Sequence, residues 1–494
     1  MKHYNKLSKH YKKIANFNHL SAIGGWDQAV IMPSGGNQSR STAMAELSLH
    51  IHQLSTDSDL GELFDKAASE DLSFTESASL REMKSQWQKS TLLPDDLVEA
   101  QSLAGSKCEH AWRTQRSDND WQGFAKNFKE VVNLSQEEAQ IRAAATDKTP
   151  YDAMLDLYEP GVSCNELDNI FGHLKTWLPE LTQQVQNKQA TEKFIKPSEV
   201  YASEQQKKLG LDIMKLLGFN FNHGRLDTSS HPFCGGVSQD VRITTRYDES
   251  DFVQSLMGIV HETGHARYEQ GLPKSLTGLP VGEARSMGIH ESQSLFFEMQ
   301  LGRSTAFIDQ LVPLALKNFP DNNPEIFESA NLQKIYTRVK PDLIRVDADE
   351  VTYPAHVILR YEIERDLMNG KISYLDIPEL WDVKMQEYLG VSTAGNYKDG
   401  CMQDIHWTDG SFGYFPSYTL GAMYAAQFMA SMEKEVDVAQ CISTQSLRPI
   451  FNWLESNIWS KASLLSTNEL VTQATGEALN GAHFKNHLQK RYLE

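Results

Sequence analysis

Apolar residues recur three and four positions apart through 41–56, 60–90, 95–115 and 121–145, with charged residues between them. That period predicts amphipathic helices with one face turned inward. Further helices are predicted over 165–189 and 197–218. Turn signals at Met32-Pro33-Ser34-Gly35-Gly36, Leu93-Pro94-Asp95-Asp96 and Tyr158-Glu159-Pro160-Gly161 punctuate the first part. The texture changes after His231-Pro232-Phe233. Residues 237–247 alternate and are rich in β-branched side chains, which makes them the best strand candidate. Two placements stay open: a small hairpin covering a loop, or an edge strand whose backbone pairs with an extended peptide.

A helical period resumes with Phe252, Leu256, Ile259 and Val260 and runs to Gly271. Breaks at Gly271-Leu272-Pro273 and through Gly278-Leu279-Pro280-Val281-Gly282 precede a helix expected to start near Glu283. Pro354 is expected to open another. Residues 400–428 crowd His406, Trp407, Phe412, Tyr414, Phe415 and Tyr418 among glycines. An amphipathic stretch follows from Gly421, and helices continue to Tyr492.

The chemistry concentrates in the helix before Gly271, where His261, Glu262 and His265 form H-E-x-x-H. Residues four apart share a helix face, so both imidazoles can grip one ion, and Glu262 can reach a water in its open position. The plainer reading is a surface helix with two unrelated histidines. A third ligand is expected on a second helix, where Glu283 and Glu291 both satisfy the spacing. Glu291 is preferred because Leu295, Phe296 and Phe297 after it imply burial. Glu298 reads first as a solvated or ion-paired carboxylate, with orientation of the ligands as the other reading. Arg345, beside Asp347, Asp349 and Glu350, belongs either to an internal ion-pair network or to an anchor for a substrate carboxylate. His406 and the nearby tyrosines are either ordinary packed side chains or donors to a developing oxyanion.

Composition narrows the classes. A net charge of −18 argues against nucleic acid, and no apolar run is long enough to span a membrane. The basic N-terminus lacks the apolar core of a secretory signal, so no targeting segment is expected, a mitochondrial presequence being the weaker alternative. Five scattered cysteines without a C-x-x-C pair suit a reducing, cytoplasmic setting and exclude a cysteine-based zinc site.

Several strings together resemble one family. They are WDQAVIMPSGG (26–36), YDAMLDLYEPG (151–161), His231-Pro232-Phe233, D-x-R-x-T at Asp240, Arg242 and Thr244, and HETGH (261–265). HESQS (290–294), RVDADEVTYP (345–354) and QDIHWTDGSFGYFPSYTLG (403–421) complete the set. The chain thus resembles the carboxypeptidase Taq family of zinc metallocarboxypeptidases over nearly its whole length. The resemblance implies a mainly α, deep-clefted metallopeptidase fold similar to neurolysin and angiotensin-converting enzyme, with a small β-sheet beside the active site. It implies one domain over 1–494: a helical half (about 1–225), a catalytic core (about 226–430) and C-terminal helices (about 431–494). It also implies a homodimer that removes single C-terminal residues from peptides with broad specificity, using one divalent metal per subunit, Zn²⁺ first and Co²⁺ second.

Carried over by position, His261, His265 and Glu291 match the metal ligands and Glu262 the catalytic carboxylate. His406, Tyr414 and Tyr418 fall where the reacting carbonyl is lined. Arg345, His231, Asp240, Arg242 and Thr244 fall on the substrate side. Two departures stand out: Asp347 replaces an expected Glu, and Ile458-Trp459-Ser460-Lys461-Ala462 lacks an expected His- and Gly-containing string. The second is expected to lie away from the chemistry. The alternatives are an oligoendopeptidase or dipeptidyl carboxypeptidase on the same scaffold, or a non-catalytic peptide-binding protein.

Overall fold

The helical periods close into Lys2–Val30, Asn37–Ser55, Leu60–Ala68, Phe74–Thr91, Asp95–Ser117 and Trp121–Thr146 in a computed structural model that describes residues 2–229 and 232–494. The run expected over 60–90 is two helices. Ser73 starts the second one with a reciprocal cap, accepting from the Glu76 N–H while the Glu76 carboxylate accepts from its own. The first four helices share an apolar cluster around Leu7, Tyr11, Phe64 and Met83, which reaches Leu279 and Val281. Helices at Cys164–Gln189 and Ser203–Leu216 lead into the main core.

Three strands, β1 (Gly224–Thr228), β2 (Phe233–Val237) and β3 (Asp240–Thr245), form a sheet of order β1-β3-β2. β2 and β3 are a hairpin, and β1 runs parallel to β3. The strand candidate is therefore the middle strand rather than an edge; β1, which carries little alternation, takes one side of it. Burial explains the choice, since Val241 and Ile243 are fully buried against Ile259 and Ala266 of the next helix. Each such side chain contributes roughly 1.5–3 kcal/mol by leaving water.

That next helix, Phe252–Gly271, is capped by Asp251, whose carboxylate accepts from the Val253 and Gln254 N–H groups. The helix expected near Glu283 begins later, at Met287, because Ser286 supplies the cap to Ile289. It runs to Leu295 and continues into a π-helical turn, Phe296–Gly302. Such turns are rare and collect at functional sites. Pro354 opens the helix Tyr353–Met368 as expected. The aromatic loop feeds the helix Pro416–Met432, which is buried almost all round and packs along Met287–Leu295. No helix among the described residues is long and apolar enough to cross a membrane.

Candidate metal centre

Two close helix contacts bring the site together. A Cβ at Gly264 would lie 2.5 Å from the Gln293 carbonyl oxygen and 2.6 Å from Ser294 Cα. At Gly421 it would lie 2.7 Å from Glu291 Cγ. Without side chains there, the helices carrying His265, Glu291 and Tyr418 lie backbone to backbone. His261, His265 and Glu291 consequently offer ligand atoms within 4.8 Å of one another. The His261 and His265 Nε2 atoms stand 3.9 and 3.5 Å from the Glu291 oxygens. Two imidazoles and a carboxylate are a fitting donor set for zinc-like ions. Glu283, the other spacing candidate, is elsewhere, accepting from Gln86 at 3.2 Å.

Behind the ligands, each imidazole is held by its other nitrogen. His261 Nδ1 meets Glu298 at 3.0 Å, and Glu298 pairs with Arg303 at 2.6 Å. Glu298 is thus largely buried, ion-paired with Arg303, and bonded to His261 Nδ1. His265 Nδ1 meets His290 Nδ1 at 2.6 Å, and His290 Nε2 meets Glu269 at 3.0 Å. Ser238, in the β2–β3 turn, donates to Glu269 at 3.2 Å and ties the sheet to this line. Nothing in the spacing singled out His290 or Glu269 as ligand supports.

The electrostatics suit a cation. Burial opposes a charge on His261, but Glu291, Glu298 and Glu262 outweigh it and hold the imidazole up at about 10. Burial also opposes the Glu298 charge, and Arg303 with His261 overcomes this to hold its carboxyl down at about 2. Glu262 moves the other way: burial, aided by Glu291 and Glu298, pushes it up to about 7, although His261 pulls against the rise. A carboxyl poised near neutrality suits a proton-transferring base.

Further along, Arg345 is buried with its guanidinium edge on Asp404, Nη2 at 2.7 Å, while Nη1 donates to the Tyr353 hydroxyl at 2.7 Å. It stacks against Phe415 and Tyr418, 4.9 and 5.1 Å from the ring centroids. Asp404 also accepts from Arg360 at 3.1 Å, and Arg360 donates to Glu364 at 2.9 Å. Glu364, fully buried, further accepts from Tyr151, Trp407 and the Gly413 N–H, which clamps the aromatic loop in place. Arg345 therefore lies inside an internal ion-pair network, one of its two sequence readings, and beside Tyr353 and Tyr418. Tyr353, Tyr414 and Tyr418 all lie within the electrostatic reach of Glu291. Burial and the nearby Arg360 push His406 down to about 3, leaving a neutral ring stacked parallel to Tyr414. Its Nδ1 is buried and has no protein partner. Tyr353 and Asp404 were missed by spacing; a Tyr and an Asp inside strings rich in both carry no distinguishing signal.

The D-x-R-x-T residues sit on β3. Asp240 and Arg242 form a bidentate pair at 2.6 and 2.8 Å, and Arg242 lies 4.5 Å over the Trp26 ring of the first helix. Thr244 Oγ1 accepts from Ser229 and from the Phe233 N–H. His231 lies outside the described residues. Asp347 faces Gln254 at 3.0 Å. The segment around Trp459 packs behind the helix that carries Glu291. Its indole donates to Gln293 at 2.8 Å, two residues after Glu291, and the ring lies 5.1 Å from the Arg267 guanidinium.

Comparison with known proteins agrees with this geometry. A family profile described as carboxypeptidase Taq (M32) metallopeptidase matches residues 6–492. The chain is 36% identical over 502 residues to thermostable carboxypeptidase 1 of Thermus thermophilus, covering 99% of this chain and 98% of that one. It is 35% identical to carboxypeptidase 1 of Bacillus subtilis, covering 97% and 96%. Among solved structures, Trypanosoma cruzi metallocarboxypeptidase 1 superposes with a TM-score of 0.97 at 45% identity, with 100% of both chains covered. The M32 carboxypeptidase of Deinococcus radiodurans gives 0.94 at 29% identity, covering 100% of this chain and 99% of that one. A match this complete, over a helical frame that gathers a trio able to hold a metal ion, means that the chain belongs to the carboxypeptidase Taq (M32) family and is a metallocarboxypeptidase.

Proposed function

We propose that the enzyme removes single residues from the free C-terminus of peptides, with broad specificity, using one divalent ion per subunit held by His261, His265 and Glu291. Zn²⁺ suits two imidazoles and a carboxylate best, and Co²⁺ is the alternative. When bound, such an ion supplies a Lewis acid and a water acidified to a pKa of about 7.

The rest is the work of the chain. Glu262 takes a proton from the attacking water and delivers it to the departing amine. His406, Tyr414 and Tyr418 offer N–H and O–H groups to the oxyanion that forms on the scissile carbonyl. Arg345 uses the guanidinium hydrogens not engaged by Asp404 and Tyr353 to pair with the terminal carboxylate. Asp240, Arg242, Thr244 and His231 shape the peptide-binding side of the cleft. Five free cysteines agree with a cytoplasmic site of action, and a homodimer is the proposed assembly.

The observation that carries this reading is that His261, His265 and Glu291 bring three donor atoms within 4.8 Å of one another, with the buried Glu262 coupled electrostatically to His261 and Glu291. Mass spectrometry of a digested peptide tests it. One-residue ladders from the C-terminus are expected. Internal cuts or paired losses would instead mark an oligoendopeptidase or dipeptidyl carboxypeptidase and overturn the proposal.

A further inference from the structure

The last helix, Gly481–Tyr492, ends against the back of the metal centre. Arg491 Nη1 donates to the Met299 carbonyl, and Nη2 donates to that of Gln300 at 3.2 Å. These are the two residues that follow Glu298 in the π-helical turn. A helix end leaves carbonyls without intrahelical donors and carries partial negative charge, so a guanidinium is a suitable closure. The same Arg491 reaches Glu350 at 3.1 Å. Glu350 is fully buried and also accepts from Tyr492 at 3.0 Å and from His487. The Glu350 charge in turn acts on Arg303, the partner of Glu298.

We propose that Arg491, held by Glu350, is a positioning residue for the metal centre: it fixes the π-helical turn so that Glu298 stays on His261 Nδ1. The line runs Arg491, Met299 and Gln300, Glu298, His261. It explains why a charged cluster is buried at a helix remote in sequence from the motif. A largely covered arginine with a carboxylate and two carbonyls around it gains little over an apolar plug in stability alone. Its value lies in the geometry it imposes on the turn.

This inference rests on the metal-centre reading, so the test measures ion binding rather than turnover. Apo-protein is titrated with Zn²⁺ against a competing chelator, with thermal unfolding followed in parallel. Arg491→Ala is expected to weaken Zn²⁺ affinity roughly 10- to 100-fold, the range for losing an outer support of a ligand. At saturating Zn²⁺ its kcat and KM return to the wild-type values. Arg491→Lys, which keeps the charge and one donor direction, recovers part of the affinity. Should Arg491→Ala not fold, Tyr492→Phe removes one hydroxyl from Glu350 and is expected to weaken affinity in the same direction. Unchanged Zn²⁺ affinity in folded Arg491→Ala, or in Tyr492→Phe if only that variant folds, overturns the inference, as does equal loss in the Ala and Lys variants. Failure of the wild-type chain itself to bind Zn²⁺ would sink the metal-centre reading instead.

Discussion

Gly264→Ala tests whether backbone contact between helices sets the ligand geometry. The added methyl would stand 2.5 Å from the Gln293 carbonyl oxygen, whereas ordinary contact begins at 3.4 Å, so the two helices must part by about 0.9 Å. Neither neighbour is a flexible side chain that could swing away, since the contacts are backbone atoms. The move shifts His265 relative to Glu291, which now stand 3.5 Å apart. Metal–ligand distances tolerate only about 0.2 Å. At least a tenfold loss of Zn²⁺ affinity is therefore expected, about 1.4 kcal/mol. Stability falls as well, since overpacking costs about 1–3 kcal/mol and alanine recovers only up to about 1 kcal/mol in helix propensity. Chelator competition gives the affinity, and circular dichroism melting establishes that the variant is folded. A folded Gly264→Ala with wild-type Zn²⁺ affinity would refute the reasoning.

Other outcomes follow from the same structure. Glu262→Gln keeps the ligands and should leave metal content unchanged while kcat falls roughly 10²- to 10⁴-fold; full activity would remove Glu262 from its role. Amidating the C-terminus of a peptide substrate should lower kcat/KM about 10- to 100-fold, because a charge-assisted contact of roughly 1.5–3 kcal/mol to Arg345 disappears; equal rates on both peptides would reassign Arg345 to structure alone. Chelation should abolish peptide hydrolysis, with Zn²⁺ or Co²⁺ restoring it. Burial pushes the carboxyl of Glu159 from an ordinary 4.5 up to about 7. Its folded form therefore holds a proton that the unfolded chain releases above 4.5. Stability from this group is full below that pH and is lost by about 3 kcal/mol as pH rises through 7. Glu159→Gln should gain relative to wild type between pH 5 and pH 8 in urea unfolding, and parallel curves would be the contrary result.

Local pattern carried most of the secondary structure, because helix period, caps and prolines act within a few residues. Asp251, Ser286 and Pro354 each sit where their helices start. Where pattern went astray, tertiary burial intervened. Residues 240–245 became a middle strand because Val241 and Ile243 pack on the metal helix, and the helix expected at Glu283 waited for Ser286. The clustering of His261, His265 and Glu291 was legible because H-E-x-x-H encodes a shared helix face, and because the Phe-rich run after Glu291 signals burial.

The amino-acid string alone therefore singled out the candidate groups for the chemistry, since imidazole spacing and acid identity are local properties. Only the tertiary structure decided how those groups are held. Glu298 on His261, His290 on His265, Asp404 on Arg345 and Arg491 behind the π-helical turn join positions up to 192 residues apart. No sequence period links such partners. For the helices carrying His265, Glu291 and Tyr418 the approach depends on Gly264 and Gly421, which let backbones touch, and a linear pattern cannot express that.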